Sequence, residues 1–534
     1  MTEMLSSDLR IPPDALQGSK IGLEKEGLRV DHSGCISSRP HPRALGAALT
    51  HPCITTDFSE ALLELITPPC SSAEEALRSL NETQTFVHHH LDGEVIWSSS
   101  MPCPVAHESE IPIAFYGSSD AGMAKQVYRR GLAHRYGGMM QLIAGVHFNY
   151  SFADSLWPVL QSLQGDSGAP QAFIAGRYMA TLRNVQRYDW LLLYLFGASP
   201  AAHPDFTGAA GKLQHLDRET GYAPYATSLR MGDMGYTNRL PANSEVHVDN
   251  NSLEAYIESM ERALETPYPP YEAIGLVVDG EQQQLNTHLL QTDGEHYTSV
   301  RPKQIPQEGE STLAALRSGG IRYLELRAID INPFAPTGVT LEQLQFLELF
   351  VNFCLFHKSP PLSRRDTEEN RRNLNRVAYR GRDPSLTLTR DGCPVGLREW
   401  AGRLCDGMEP VADLLDRGRG GQAYRDTLEM HRRLLDDPRQ TPSAWLLAAM
   451  QEQRKSYPQW ILQQSLMHHV HYLGRELSPA RLEYYEALSR HSLRQQRHLE
   501  RCSRGLFGAP RREKRAPVFP CIACRPWPCA SCKY

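Results

Sequence analysis

No stretch of about 20 consecutive apolar residues occurs anywhere in this chain of 534 residues, and a helix that crosses a bilayer needs about that many. The opening, Met1-Thr2-Glu3-Met4-Leu5, also lacks the basic region and apolar core of an export signal. A cytoplasmic protein without a membrane contact is the expectation. Positive charge is not in excess either: the formal net charge is −5, whereas binding along a nucleic acid takes clustered Lys and Arg to neutralise phosphates. Nucleic acid is therefore not an expected partner. Two catalytic signatures are missing as well. Gly208-Ala209-Ala210-Gly211-Lys212-Leu213 has glycines too closely spaced for a phosphate loop and no Ser or Thr after the lysine, so it reads as ordinary loop. No Ser or Cys sits in a glycine-flanked nucleophile elbow, and no internal repeat marks an array.

What is present is an ordinary globular composition, 41% hydrophobic and 22% charged, sufficient for a large core in one domain or a few smaller ones. Of the 12 cysteines, those from Cys35 to Cys502 are scattered in contexts such as Val351-Asn352-Phe353-Cys354-Leu355-Phe356. Without an export signal they read as reduced, structural thiols. The other four form two Cys-x-x-Cys pairs, Cys521/Cys524 and Cys529/Cys532. Four thiolates can hold Zn²⁺, but the spacer between the pairs is tighter than usual zinc modules allow. A disordered or adventitiously metal-binding tail is an equal reading, and no catalytic role is assigned to it. The groups His88-His89-His90 and His468, His469 and His471 lack Cys or carboxylate partners at ligand spacing and read as surface or packed histidines.

The pattern is mixed α and β. Ser72 to Glu75 has the form of a capping box, followed by Leu77, Leu80, Gln84, Val87 and Leu91 on one helical stripe that Gly93 stops. Val146, Phe148, Tyr150 and Phe152 alternate with His147, Asn149 and Ser151, the pattern of a half-buried strand. Leu341 to Phe356 and the stretch from Pro442 to Leu499 read as helical, so sheet material is concentrated before Pro336. One catalytic unit over 1–507 is expected, sheet-rich over 1–358 and helical over 359–507. Residues 508–534, rich in Pro, Arg and Cys, read as a flexible tail.

Chemistry gathers in four stretches that end apolar or β-prone runs in charged residues: Gly22-Leu23-Glu24-Lys25-Glu26, Asp57 to Glu64 (DFSEALLE), Gly145-Val146-His147-Phe148-Asn149, and Tyr323-Leu324-Glu325-Leu326-Arg327. Side chains alternate faces along a strand. Glu24 and Glu26 therefore share a face, as do Glu325 and Arg327. Like charges about 4 Å apart repel by about 1 kcal/mol in water and about 4 at an effective dielectric of about 20, so such acids call for a cation between them. Hard oxygen ligands favour Mg²⁺ or Mn²⁺. Arginines in small or apolar surroundings, among them Arg129, Arg130, Arg230 and Arg327, offer planar donors matched to phosphoryl and carboxylate oxygens. Metal-type acids beside such arginines suggest phosphoryl transfer without a glycine-rich loop.

Five segments carry a family resemblance: Ile21 to Val30 (IGLEKEGLRV), Ile54 to Pro68 (ITTDFSEALLELITP), Tyr136 to Phe152 (YGGMMQLIAGVHFNYSF), Tyr222 to Asn238 (YAPYATSLRMGDMGYTN) and Gly319 to Thr337 (GGIRYLELRAIDINPFAPT). In this order they resemble the glutamate–cysteine ligase family of the proteobacterial type, over nearly the whole chain up to about Leu506. The resemblance implies an α+β fold related to glutamine synthetase, with a curved antiparallel sheet forming a funnel-shaped active site and helices packed outside. It implies a monomer that joins the γ-carboxylate of L-glutamate, by way of γ-glutamyl phosphate, to the amine of L-cysteine, with ATP as co-substrate, in the first step of glutathione synthesis. It places Glu24, Glu26, Asp57, Glu64, His147 and Glu325 on Mg²⁺, with Mn²⁺ as the alternative. Arg230, Arg327 and, in a lesser role, Gln141 are assigned to the phosphoryl group. Phe58, Tyr128, Arg129, Tyr236 and Tyr297 are assigned to the amino-acid substrates. His147 is the unusual ligand, since imidazole is softer than Mg²⁺ prefers, and a buried structural histidine is its alternative. The chain departs from the family pattern at Gly27, expected to loosen a strand. Three other functions compete: a ligase for another amine, a metal-dependent hydrolase that needs no ATP, and a non-catalytic binding protein, which would lack metal ligands.

Overall fold

The computed structural model describes residues 10–206, 213–235, 237–238, 247–307 and 309–503. Its centre is one antiparallel sheet whose strands are labelled β1 (Lys20–Asp31), β2 (Ile54–Thr56), β3 (Leu62–Ile66), β4 (Glu94–Ile96), β5 (Val146–Ser151), β6 (Val300–Lys303) and β7 (Tyr323–Ile329). The order across the sheet is β6-β7-β5-β1-β3-β2, with β4 pairing the far end of β1. β1 is thus flanked on both sides along its length. The architecture is α+β, as expected.

One face of the sheet is apolar. Leu23 of β1, Leu63 and Leu65 of β3, Val146 and Phe148 of β5, and Leu324 and Leu326 of β7 are all buried, against α1 (Ala73–His88), α3 (Pro170–Phe196) and α4 (Leu341–Phe356). The helix α4 is buried nearly all round, the pattern of a core helix rather than a surface one, and it opens on a capping box between Thr340 and Gln343. Helix α2 (Asp120–Tyr136) lies on the opposite, polar side. One connected apolar core runs from Ile11 to Tyr485 and includes residues of the C-terminal helices.

The sequence expectations hold in full at α4 and differ in detail at several other elements. Ser72 caps α1, but the Glu75 carboxylate reaches past it to the N–H of Ser71 at 2.7 Å, and the helix ends at His88, before Leu91. The stretch from Pro442 resolves into three helices, Pro442–Gln453, Tyr457–Leu473 and Pro479–Cys502. The first stops where Arg454 turns left-handed at φ 51°, and the other two begin with prolines in their first turns. A hairpin, Thr387–Arg390 with Cys393–Gly396, places strand well beyond Pro336. β5 is buried on both faces rather than half-buried, because α2 and its neighbouring loops roof the polar side.

Gly27 does not loosen β1. A Cβ there would lie 2.5 Å from Cγ2 of Ile96 on β4, so the missing side chain is what lets the two strands approach. Among the described residues the cysteines are free, and Cys35, Cys393 and Cys502 are exposed rather than packed. His88 stacks on Tyr472 at 4.7 Å and meets His469 through their Nδ1 atoms at 2.9 Å, so these histidines are packed groups. The loop Gly208 to Lys212, Tyr236 and the Cys-rich tail lie outside the described residues. No described helix is long and apolar enough to cross a membrane.

Candidate active site

Register, rather than any single motif, assembles the polar face. Glu24 of β1 pairs across the ladder with His147 of β5, and Glu26 with Glu64 of β3. Glu325 of β7 lies opposite Asn149 on one side and Arg301 of β6 on the other. Directly opposed like charges such as Glu26 and Glu64 destabilise a sheet, so this face is not built for its own stability.

His147 sits among three carboxylates. Its Nδ1 is 3.1 Å from Glu24 Oε2 and 3.6 Å from Glu325 Oε1, and its Nε2 is 3.9 Å from Glu26 Oε1. Asn149 donates to Glu24 Oε1 at 2.8 Å. Arg327 donates to Glu325 Oε1 at 3.0 Å, and Lys303 Nζ stands 3.5 Å from Glu325 Oε2. Burial works to raise the Glu325 carboxyl, but Lys303, Arg327, His147 and Arg301 outweigh it and hold it far below the usual range. Glu24 is likewise kept low against its burial, by the hydrogen bond from His147. Glu26 goes the other way, raised by burial that its cationic neighbours do not overcome. Glu24, Glu26 and Glu64 thus lie on β1 and β3, while on β6 and β7 the cations Arg301, Lys303 and Arg327 surround the single acid Glu325.

All six expected metal ligands line one small pocket of about 70 Å³, together with Phe58, Tyr128, Arg129, Gln141, Tyr297 and Arg327. Tyr128 and Arg129 descend from α2, where Leu132 and Lys125 on the same stretch also face the pocket. Arg129 donates from Nε to the carbonyl of Asp57 and stacks over Tyr116 at 4.6 Å. Gln141 and the Tyr297 hydroxyl bond each other, at 2.9 Å from Nε2. Arg230 is not brought into this lining. It is buried, its Nη2 donates to the Arg327 carbonyl at 2.6 Å, and its charge acts to lower the Glu26 carboxyl. The pocket shares Tyr297 and Arg327 with a cleft of about 870 Å³ bordered by arginines of α5 (Arg364–Arg380), which gives the narrow floor and wide mouth of a funnel.

The donor set fits a hard divalent cation. Glu24, His147 and Glu325 each offer a ligand atom, all within 4.8 Å of one another. Glu325 Oε2 is buried and faces Lys303 in an ion pair at 3.5 Å without accepting a hydrogen bond, which leaves it capacity for a ligand. Asn149 Oδ1 is buried without a partner beside it.

Sequence reasoning missed Arg301, Lys303, Lys125 and Asn149. Arg301 and Lys303 alternate around Pro302 in a strand only 4 residues long, too short and too proline-marked to register as one. Asn149 was visible within its strand pattern, and its place beside His147 on the same face was the usable signal.

Comparison with known proteins follows this geometry closely. A family model described as glutamate–cysteine ligase matches residues 9–377. The chain is 46% identical to the glutamate–cysteine ligase of Azotobacter vinelandii over 490 residues, 91% of this chain and 92% of that one. It is 43% identical to the glutamate–cysteine ligase of Pseudomonas entomophila over 516 residues, 95% and 97% of the two chains. A crystal structure of glutamate–cysteine ligase from Francisella tularensis in complex with AMP superposes with a TM-score of 0.86 at 33% identity, covering 92% of this chain and 96% of that one.

Proposed function

The chain belongs to the glutamate–cysteine ligase family, and from that premise we propose how its pocket carries out ATP-dependent formation of γ-glutamylcysteine, the first step of glutathione synthesis. A carboxylate is a poor acyl donor. The γ-carboxylate of glutamate must first attack the γ-phosphorus of ATP, releasing ADP and giving γ-glutamyl phosphate, from which the amine of cysteine then displaces phosphate. Both partners in the first step are anions, so the site has to hold them together against their repulsion.

The observation that carries this reading is the convergence of Glu24, His147 and Glu325 beside Arg327, where the small pocket meets the large cleft. The cleft, about 870 Å³, is of the size that takes a drug-sized or nucleotide ligand. We assign ATP to it, with the γ-phosphoryl group toward Arg327. Glu24, Glu26, Asp57, Glu64, His147 and Glu325 hold Mg²⁺ or Mn²⁺. When bound there, the cation offsets the charge of the phosphates and of the attacking carboxylate. Arg327 donates to phosphoryl oxygens as charge develops on them, and Gln141, tied to Tyr297, borders the same space. Phe58, Tyr128 and Tyr297 wall the place of the cysteine side chain, orienting its amine toward the acyl phosphate, while Arg129 serves a substrate carboxylate. By family resemblance Tyr236 is assigned to the cysteine substrate as well. The unit is residues 1–507, acting as a cytoplasmic monomer.

An assay with ATP, Mg²⁺, glutamate and cysteine, reading the product by mass, tests substrate, nucleotide and reaction together. Product formed equally well from another amine places the chain with a different ligase. Turnover without nucleotide overturns ligation in favour of hydrolysis.

A further inference from the structure

The ladder between β7 and β5 is regular at Leu324↔Tyr150, Glu325↔Asn149 and Leu326↔Phe148, then slips before Ile329↔Val146. Arg327 and Ala328 together face the single residue His147. Such a bulge re-aims a side chain and takes backbone groups out of the ladder. On the β6 side the Arg327 N–H still donates to the Ser299 carbonyl at 2.8 Å. Its carbonyl accepts from Arg230 Nη2 at 2.6 Å.

Arg230 touches the other side of the slip as well. A Cβ on Gly145 would lie 2.2 Å from Arg230 Nη2, so the guanidinium lies flat on the backbone that leads into β5. That backbone is bound to Glu26 twice, through Gly145 N–H to Oε2 at 2.7 Å and from Glu26 N–H to the Gly145 carbonyl at 3.0 Å. One buried guanidinium thus spans the two segments that aim Arg327 and Glu26. A buried cation needs a nearby countercharge. Asp330, 1% exposed, supplies it 3.8 Å from Arg230 Nη1. Asp330 is itself held by the Ser228 hydroxyl at 2.9 Å, the Ser199 hydroxyl at 2.6 Å and the Ala198 N–H at 2.9 Å.

We propose that Asp330 is a positioning residue of the ligase site, which through Arg230 fixes the bulge that turns Arg327 into the pocket; the proposal rests on the ligase reading above. Asp330 lines neither the small pocket nor the large cleft, so its whole effect passes through other side chains. A residue with only a structural role would lower activity by the same factor whatever stands at 327.

The test is a double-mutant cycle on the full-length protein with Asp330→Asn, Arg327→Ala and the double variant, each checked by thermal melting. Asp330→Asn should lower kcat by about 10–100-fold, the range for partners that orient a site residue, with KM for glutamate and cysteine changed by no more than about two-fold. In the Arg327→Ala background the same substitution should change kcat by less than about two-fold, because the side chain it positions is gone. Equal factors in both backgrounds, or wild-type kcat in folded Asp330→Asn, overturn the proposal. If Asp330→Asn does not fold, Ser228→Ala removes one of the bonds that hold Asp330 and is read in the same cycle: a loss that disappears without Arg327 supports the proposal, and one that persists overturns it. Wild-type protein that forms no ATP-dependent product defeats the ligase reading itself, whereas an active wild type with additive losses defeats only the role of Asp330.

Discussion

Replacing Glu325 by glutamine removes one charge while keeping the shape of the side chain and its acceptor for Arg327. Glu325 is 2% exposed, with Arg327 at 3.0 Å from Oε1 and Lys303 at 3.5 Å from Oε2. Unit charges about 4 Å apart at an effective dielectric of about 20 interact by about 4 kcal/mol. A divalent cation beside this carboxylate loses at least about that much, roughly three decades of affinity. Arg327 and Lys303 do not offset the loss, since without this countercharge they repel the same cation. The Mg²⁺ concentration that half-saturates ligation should therefore rise by about 10³-fold, and turnover at ordinary Mg²⁺ should fall by orders of magnitude. Paramagnetic Mn²⁺ binding, measured apart from activity, should weaken in parallel. The glutamine still fills the space, so circular dichroism should show an intact fold. A folded Glu325→Gln with unchanged Mg²⁺ dependence and unchanged Mn²⁺ binding would refute the assignment of this oxygen to a metal.

Arg327→Ala should lower kcat by about 10²–10³-fold, the usual loss for one donor to a charge that develops in the transition state, while the protein stays folded; near-normal turnover contradicts its role. Asp189 on α3 faces the large cleft, and burial pushes its carboxyl up from 3.8 to about 7 against a hydrogen bond from Ser299. Because the folded value lies above the unfolded one, its contribution to stability is complete below about pH 4 and is lost as pH rises through about 7, a swing of up to about 4 kcal/mol. The advantage of Asp189→Asn over wild type should therefore be larger at about pH 8 than at about pH 5, by about 3 kcal/mol, as read by urea unfolding, and an equal difference at both pH values contradicts the buried charge. Removing residues 508–534 should leave kcat and KM of ligation unchanged, and a loss of turnover on truncation contradicts their placement outside the catalytic unit.

The strands that carry the acids were legible because period-two alternation is a local property: Glu24 and Glu26, or Glu325 and Arg327, declare their shared face from neighbouring letters alone. Which strands lie side by side is not local. The pairings Glu24↔His147 and Glu26↔Glu64 join residues far apart in sequence, and it was family resemblance, not spacing, that brought them together. The burial of β5 on both faces was likewise out of reach, since its roof comes from α2. Arg230 shows the opposite case. Its small-residue context marked it as a functional arginine, but nothing in composition shows that its guanidinium ends against the Arg327 carbonyl and the Gly145 backbone. Short elements failed for energetic reasons: with few residues, Arg301 and Lys303 are held by their neighbours' ladder rather than by propensity of their own.

The division of the polar face explains why the site is built across a sheet and not on one loop. Acids on β1 and β3, and the cations that surround Glu325 on β6 and β7, sit at fixed spacings of adjacent strands, about 4.8 Å each, so the potential changes over the width of a few strands. On the proposed reading, a triphosphate entering from the cleft would meet Arg327 and Lys303 at one side. On that reading a cation held by the acids would complete an alternation of charge that no pair of these side chains could provide alone. Apart from its ligands the same face is frustrated: Glu26 opposes Glu64, and burial raises the Glu26 carboxyl against the pull of its cationic neighbours. Positive charge delivered there would relieve that repulsion, which links the stability the fold forgoes at this face to the proposed binding of a cation.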